Sequence, residues 1–399
     1  MANNNENKIL NVPNLRFPEF SGEWSSQPLT DFMNFKNGLN PDANRFGRGT
    51  KFISVMDILN NQYICYDNIR ASVELQDGDI ETYGVDYGDI LFQRSSETLE
   101  DVGRANVYLD SKPAIFGGFV IRGKSKGNYN PLFFRYLLAS PTARKRIIVK
   151  GAGAQHFNIG QDGLSKVSLD IPRLSEQEKI GKLLQCVDAR IATQNKIIED
   201  LKKLKSAIIH RCYSSQTNMI PLSELLKQCS DRNRSGSDLQ VLSVSNKYGF
   251  IAQSNQFEDR EVASDDTSNY KVVKKGMFAY NPARINVGSI ALYEMDGNGI
   301  VSPMYVCFTT KSELLPSYLK YYFASQTFKH EMYKRLEGSV RLCLTFEELC
   351  NIEIHLPSIE QQKNISKYIS KIENNLSLVD SIFSKYQQQR RYLLSQMFI

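Results

Sequence analysis

Residues 172–213 carry apolar side chains at alternating steps of four and three: Ile180, Leu184, Val187 and Ile191, then Ile198, Leu201 and Ile208. That spacing is a heptad seam, and a heptad seam needs a second helix to cover it. After Pro172 the stretch has no proline and one early glycine, Gly181. At about 1.5 Å per residue it predicts a rod roughly 60 Å long, well beyond an ordinary core helix. Ser175 and Glu178 have the spacing of a capping box at its start. The covering seam lies in the same chain. Between Pro357 and Ile399 it runs Ile365, Ile369, Ile372, Leu376, Val379, Phe383, Tyr386 and Leu393, with Met397 beyond. Ile365 follows Ile180 by 185 residues, and Ile369 follows Leu184 by the same 185.

The offset reaches past the helices. Pro131, Tyr136, Ala139, Ser140 and Thr142 fall on Pro316, Tyr321, Ala324, Ser325 and Thr327. Gly153 falls on Gly338, Pro172 on Pro357 and Gln177 on Gln362. Upstream the register slips: Pro28-Leu29 matches Pro221-Leu222 at 193, and Ser54-Val55 matches Ser243-Val244 at 189. A repeat this long is a domain duplication, not a solenoid. The expectation is an α/β (α+β) chain of two duplicated globules, 1–171 and 216–356, with long helices at 172–215 and 357–399. The helices should pair as an antiparallel coiled coil, related by a pseudo-twofold axis. Gln194 and Lys205 break the first seam and Arg390 the second. That difference would leave part of the first helix for a partner, and Lys202, Lys203 and Lys205 read as its solvated face.

Within the first globule, residues 1–14 read as disordered, Pro28–Phe35 as a short helix and residues 37–51 as a loop. Short strands follow to Ile121, clearest at Asp89–Phe92 and Phe119–Ile121. Pro131–Ile148 reads as helix broken at Pro141 behind a capping Ser140. A glycine-rich loop at 151–160 and a strand at 167–171 complete it.

The 399 residues carry 49 basic and 43 acidic side chains, a net charge of +6 that permits a polyanion partner without demanding one. Seven cysteines make no C-x-x-C pair, and four histidines make none at metal spacing. A reduced, cytoplasmic protein without disulfides or bound metal fits best. The polar start MANNNENKILN does not resemble a signal peptide, and no apolar run is long enough to span a membrane.

Gly118–Ser125, GFVIRGKS, matches the phosphate-loop pattern literally. Its four variable positions are Phe119, Val120, Ile121 and Arg122, which is strand chemistry, and a turn follows where a helix must start. Asn130-Pro131-Leu132-Phe133 resembles the adenine-methyltransferase N-P-P-[FY] motif without its second proline. The copy reads Leu315-Pro316-Ser317-Tyr318, so the position is a helix start. No paired carboxylates or nucleophile motif appear, and no catalytic residue is expected.

The polar loops are the better candidates. Gln93-Arg94-Ser95-Ser96 follows the GDILF turn, and Tyr280-Asn281-Pro282-Ala283-Arg284 is its copy. Arginine can pair with guanine, and Asn or Gln with adenine, in the major groove. Arg104, Gln155 and His156, with Arg341 equivalent to His156, could reach a groove or phosphates.

Two variable globules, each followed by P-x-x-x-x-Q-x-x-I and a heptad helix, resemble the specificity subunit of type I restriction-modification systems. The phrases LRFPEFSGEW, GDILF, YNPARINVGSIA and IPRLSEQEKIGKLL are of the kind that family carries. The resemblance implies a non-catalytic subunit in which each globule reads half of a bipartite double-stranded DNA target. It implies helices that set the spacing and dock two methyltransferase subunits. It places S-adenosylmethionine and ATP on partner methyltransferase and restriction/motor subunits, with no cofactor in this chain and no membrane partner. The rival reading is a coiled-coil scaffold or regulatory protein without a DNA role. A P-loop ATPase would instead show nucleotide binding abolished by Lys124→Ala.

Overall fold

A computed structural model describes residues 10–215, 217–234, 238–253, 266–338 and 342–399. The chain divides into two compact units, one comprising residues up to Asn195 together with Ser381–Ile399, the other Lys196–Asp380.

In the first unit the strands are β1 (Ser25–Pro28), β2 (Met33–Asn37), β3 (Phe46–Ile53), β4 (Ala71–Val73), β5 (Gly84–Val85) and β6 (Ile90–Gln93). They continue as β7 (Ser95–Ser96), β8 (Ala105–Val107), β9 (Ala114–Phe116), β10 (Val120–Ser125), β11 (Phe157–Asn158) and β12 (Ser168–Ile171). The helices are α1 (Val55–Asn60), α2 (Asp79–Tyr83), α3 (Pro131–Ala139), α4 (Pro141–Ile148), α5 (Gln161–Ser165) and α6 (Leu174–Tyr213, 40 residues). One sheet has the order β2-β10-β6-β8, all antiparallel. The other, β4-β3-β9-β5, has a parallel β3–β9 pair at its centre. A β1–β12 ribbon leads into α6.

The second unit contains β13 (Met219–Pro221), α7 (Leu222–Leu225), β14 (Leu226–Cys229), β15 (Gln240–Ser245), β16 (Gly249–Ala252), β17 (Lys271–Val273) and β18 (Phe278–Tyr280). It continues with β19 (Ile290–Leu292), β20 (Gly299–Val301), β21 (Val306–Thr310), α8 (Pro316–Phe323), α9 (Gln326–Lys334), α10 (Phe346–Cys350), β22 (Glu353–His355) and α11 (Ile359–Gln396, 38 residues). Its sheets, β14-β21-β18-β19 and β16-β15-β20-β17, repeat the first unit's orders, including the central parallel pair β15–β20. A β13–β22 ribbon leads into α11 as β1–β12 leads into α6. The duplication therefore survives upstream in topology even where the residue offset slips.

Each unit holds half of each long helix. In the first, Arg390 Nε donates to Asp188 at 2.6 Å and Arg190 lies over the Tyr386 ring at 5.7 Å. One helix advances as the other retreats, so they are antiparallel. Ile180, Leu184, Val187 and Leu393 are buried there, and Ile191, Phe383 and Tyr386 half-buried. In the second, Ile198, Ile369 and Ile372 are buried, and Leu201, Ile208, Ile365, Leu376 and Val379 half-buried. The seam also includes Ile209, Tyr213, Leu394 and Phe398, near helix ends that face a globule as well as a helix. Phe398 packs its ring on Trp24 and Phe133, tying the chain's last turn into the first core.

The helix-junction glutamine has a physical reason. Gln177 is buried, accepts from Asn130 N at 3.0 Å and donates to Pro172 O at 3.0 Å. Gln362 accepts from Leu315 N at 2.8 Å and donates to Pro357 O at 2.9 Å. One side chain thus clamps the start of a long helix to the start of a globule helix in both units. Asn130 Oδ1 caps α3 and Ser140 Oγ caps α4, so the break at Pro141 is as expected.

Several expectations need correction. Pro28–Phe35 is the end of β1, a 3-10 turn at Leu29–Asp31 and the start of β2, because Met33–Asn37 pairs with β10. The stretch 37–51 contains most of β3. Residues 1–9 lie outside the described chain, but Asn11 is held by bonds to Trp24 O and Asp170, both at 2.9 Å. Helix α6 starts at Leu174, so Ser175 lies inside it and makes no capping box; in α11 Ser358 and Gln361 cap reciprocally. Lys205 is half-buried and ion-paired to Glu373 at 2.5 Å, not solvated. Lys205 and Arg390 are therefore neutralised seam positions, not faces left open. Gly118–Ser125 is strand β10 and its lead-in, which agrees with the rejected phosphate loop. Among the described residues no helix is long and apolar enough to cross a membrane, and none of the His, Cys, Asp and Glu side chains cluster for a metal.

Candidate nucleic-acid interface

In the first unit the two loops singled out by sequence are brought together. Asp89, in the GDILF turn, accepts from Ser125 N at 2.8 Å and from Asp86 N at 3.0 Å, which fixes the end of β6 against β10. Burial raises its carboxyl above the ordinary range. Beyond β6 the chain leaves the sheet at Arg94, whose N–H donates to Phe119 O at 2.9 Å. Ser95 and Ser96 then pair with Asn158 and Phe157 of the glycine-rich loop, and Ser95 Oγ bonds Asn158. Ala152 and Asn158 bridge the loop's base, leaving Gln155 and His156 exposed at its tip. Gly153 sits at φ +143°, where a Cβ would meet His156 O at 2.0 Å, so only glycine closes this loop. Arg94, Ser95, Ser96, Gln155 and His156 thus form one ledge.

Gln93 does not belong to its outer face. It is buried, and its amide donates to Ser95 O at 2.8 Å, supporting the ledge from beneath. Arg104 is exposed and paired to Asp101 at 2.6 Å, just before β8 and off the ledge itself.

The second unit repeats the ledge. Glu337 and Cys343 bridge as Ala152 and Asn158 do, and Leu344 N donates to Pro282 O at 3.1 Å as Ile159 N does to Arg94 O at 2.9 Å. Gly338 is again at positive φ, +112°. Arg341 lies outside the described residues. Tyr280 is a core side chain, fully buried with its hydroxyl donating to Leu344 O at 3.2 Å, and burial raises its pKa. A strand-end position two residues before the turn points inward, which removes it from the candidates. Asn281 is half-buried and its Oδ1 accepts from Ala283 N at 3.0 Å, shaping the turn. Arg284 is exposed, with no ion pair for its guanidinium among the described residues.

A cleft between the two sheets of each unit lies beside these ledges. In the second unit it measures about 410 Å³ and is lined by Ser245, Asn246, Asn281, Arg284, Ser302 and Met304. In the first it measures about 410 Å³ and is lined by Asn40, Phe46, Met56, Gly118 and Phe119. Phe119 is 70% exposed and Met56 58%. From sequence Phe119 read only as the first residue of a strand, and Met56 was not singled out; an aromatic directly after a Gly-Gly turn was the available signal. One scaffold therefore presents an apolar mouth in one unit and a mixed one in the other, where Arg284 stands beside the exposed Met304 and Val287.

A family model described as the type I restriction modification DNA specificity domain matches residues 21–203 and 236–382. The type I restriction enzyme MjaVIII specificity subunit of Methanocaldococcus jannaschii is 24% identical over 408 residues, 94% of this chain and 91% of that one. A solved type I restriction-modification S subunit from M. genitalium superposes at a TM-score of 0.60 and 15% identity, covering 97% of this chain and 99% of that one. A chain from a structure addressing complex assembly and conformational transition of the type I R-M system gives 0.54 and 13%, over 93% and 96%. These likenesses establish a shared fold.

Proposed function

The chain belongs to the type I restriction-modification DNA specificity domain family; its role is recognition of a DNA sequence, and we propose that each unit reads one half of a two-part duplex target. The observation that carries this reading is the pairing of one topology with two different mouths. A duplicated scaffold reading the same sequence twice would keep its contact residues. At the 185-residue offset Phe119 falls on Met304, and both are exposed, but around them the first unit's cleft is lined by Phe46 and Met56 and the second's by Asn246, Asn281 and Arg284. An apolar mouth suits a thymine methyl or a widened base step, and Arg284 with Asn281 suits purine edges. Lysines and arginines around the ledges would supply most of the affinity through phosphates.

As a specificity subunit the chain is the reader, working with other restriction-modification subunits. We further propose that these are two methyltransferase subunits, carrying S-adenosylmethionine, and restriction/motor subunits using ATP. The long helices would set the gap between half-targets and help dock the methyltransferases. The test is retention of duplex DNA by the purified chain with its methyltransferase. The reading expects sequence-selective, salt-sensitive retention; none, with or without the partner, would favour a scaffold without a DNA role.

A further inference from the structure

Beside the first unit's ledge is a second cleft of about 490 Å³, walled by α1, the edge strand β8, α3, α4 and α11. Its lining carries five cations, Arg104, Arg135, Arg144, Lys145 and Arg390, against one carboxylate, Glu100. Three of the cations already have anionic partners: Arg104 has Asp101, and Arg135 and Arg390 share Asp188. Arg144 uses Nη2 on the carbonyls of Glu100 at 2.9 Å and Val102 at 2.6 Å, while its buried Nη1 has no hydrogen-bond partner. Lys145 is exposed and makes no ion pair among the described residues. The cleft therefore holds two unneutralised cations, one with an N–H short of an acceptor.

We propose that this cleft seats a backbone phosphate of the DNA duplex, next to the bases met by the Arg94–His156 ledge. The inference rests on the recognition reading above and deepens it. Two observations favour a phosphodiester. The cleft lies one loop from the ledge: residues 97–103 run from Ser96 to Arg104, and Arg144 Nη2 of the cleft donates to the Glu100 and Val102 carbonyls of that loop. Basic side chains also recur in the second unit, where Lys320 is paired to Glu294 and Lys205 to Glu373, and Lys329 has no ion pair among the described residues. At the 185-residue offset Arg135, Arg144 and Lys145 correspond to Lys320, Lys329 and His330, and Arg390 to Lys205. Basic residues persist at these positions while the sheet-cleft residues diverge. Phosphates look alike at any sequence and base edges do not, so a reader of two different half-targets should show that split.

The experiment uses the full chain and a long mixed-sequence duplex, with affinity followed as salt is raised. Lys145→Ala should lower the slope of log affinity against log salt by about 0.9, the release expected for one phosphate contact. Lys145→Arg should restore it, and Lys329→Ala should lower it from the other unit. Unchanged slopes in both alanine variants overturn the proposal. So does a defect seen only when the methyltransferase is added, which would make the cleft a protein dock. Competition by inorganic phosphate beyond chloride at equal ionic strength, lost in Lys145→Ala, would assign the cleft to a free anion instead. The recognition reading is scored separately, by the wild-type preference for target over mixed-sequence DNA.

Discussion

Asp188 accepts from Arg390 at 2.6 Å, from Tyr136 at 2.9 Å and from Arg135 at 3.2 Å, on a side chain that is 8% exposed. Its duplicate, Glu373, takes Lys205 at 2.5 Å and Tyr321 at 2.9 Å. Burial lowers the Arg135 pKa, so removing its carboxylate leaves a desolvated cation uncompensated. Asp188→Ala should cost about 3 kcal/mol of unfolding free energy in urea titration. Glu373→Ala should cost roughly 1 kcal/mol, because that pair is about a third exposed. Equal, negligible losses would show that neither pair matters to the fold. Lys205 and Arg390 were legible as breaks in the seam but not as ion pairs. The counter-charges lie far away in sequence, and only folding of the seam brings them opposite. The offset held the clue, since Asp188 falls on Glu373 as Lys205 falls on Arg390. Cysteine chemistry gives a second check at this scale. Cys186 is exposed, whereas Cys307 is buried and its thiol is pushed up to about 12. A disulfide reagent near neutral pH should label Cys186 in the folded protein and reach Cys307 only after unfolding. Prompt labelling of Cys307 would contradict the burial of β21.

The long helices were the most readable elements, because a heptad seam over forty residues has few other solutions. The clamp at their start was readable only as a repeated glutamine; its partners are backbone groups, which leave no mark in sequence. Gln362→Leu should therefore destabilise by about 2 kcal/mol, leaving Leu315 N and Pro357 O unpaired in a confined place. A melting temperature unchanged from wild type would remove the clamp from the account. Pro28–Phe35 misled because Leu29, Phe32 and Met33 are all buried at helical spacing. A short apolar run cannot separate helix from strand, and pairing of β2 with β10 decided it. If the helices measure the gap between half-targets, four residues inserted near Asn195, about one helical turn, should change the preferred spacer. An unchanged spacer would take that role away from them.

At the scale of the whole chain, the duplication was legible in full from Pro131 and Pro316 onward, where helices and their contacts hold the spacing. Upstream, loops between strands changed length, so the residue offset slipped while the strand order stayed. The site was legible only in part. Sequence located the ledge loops, but Tyr280 and Gln93 turned inward, and Phe119 and Lys145 acquired interest only through the surfaces around them. Base preference depends on how Arg284 and its neighbours are aimed, which sequence does not carry. The most direct measurement is the methylated motif in DNA from cells making this chain with its methyltransferase, read by single-molecule sequencing for wild type and Arg284→Ala. The account predicts a motif in two parts with a fixed gap, and relaxed selectivity in one part only for the variant. A continuous motif, or equal change in both parts, would contradict it.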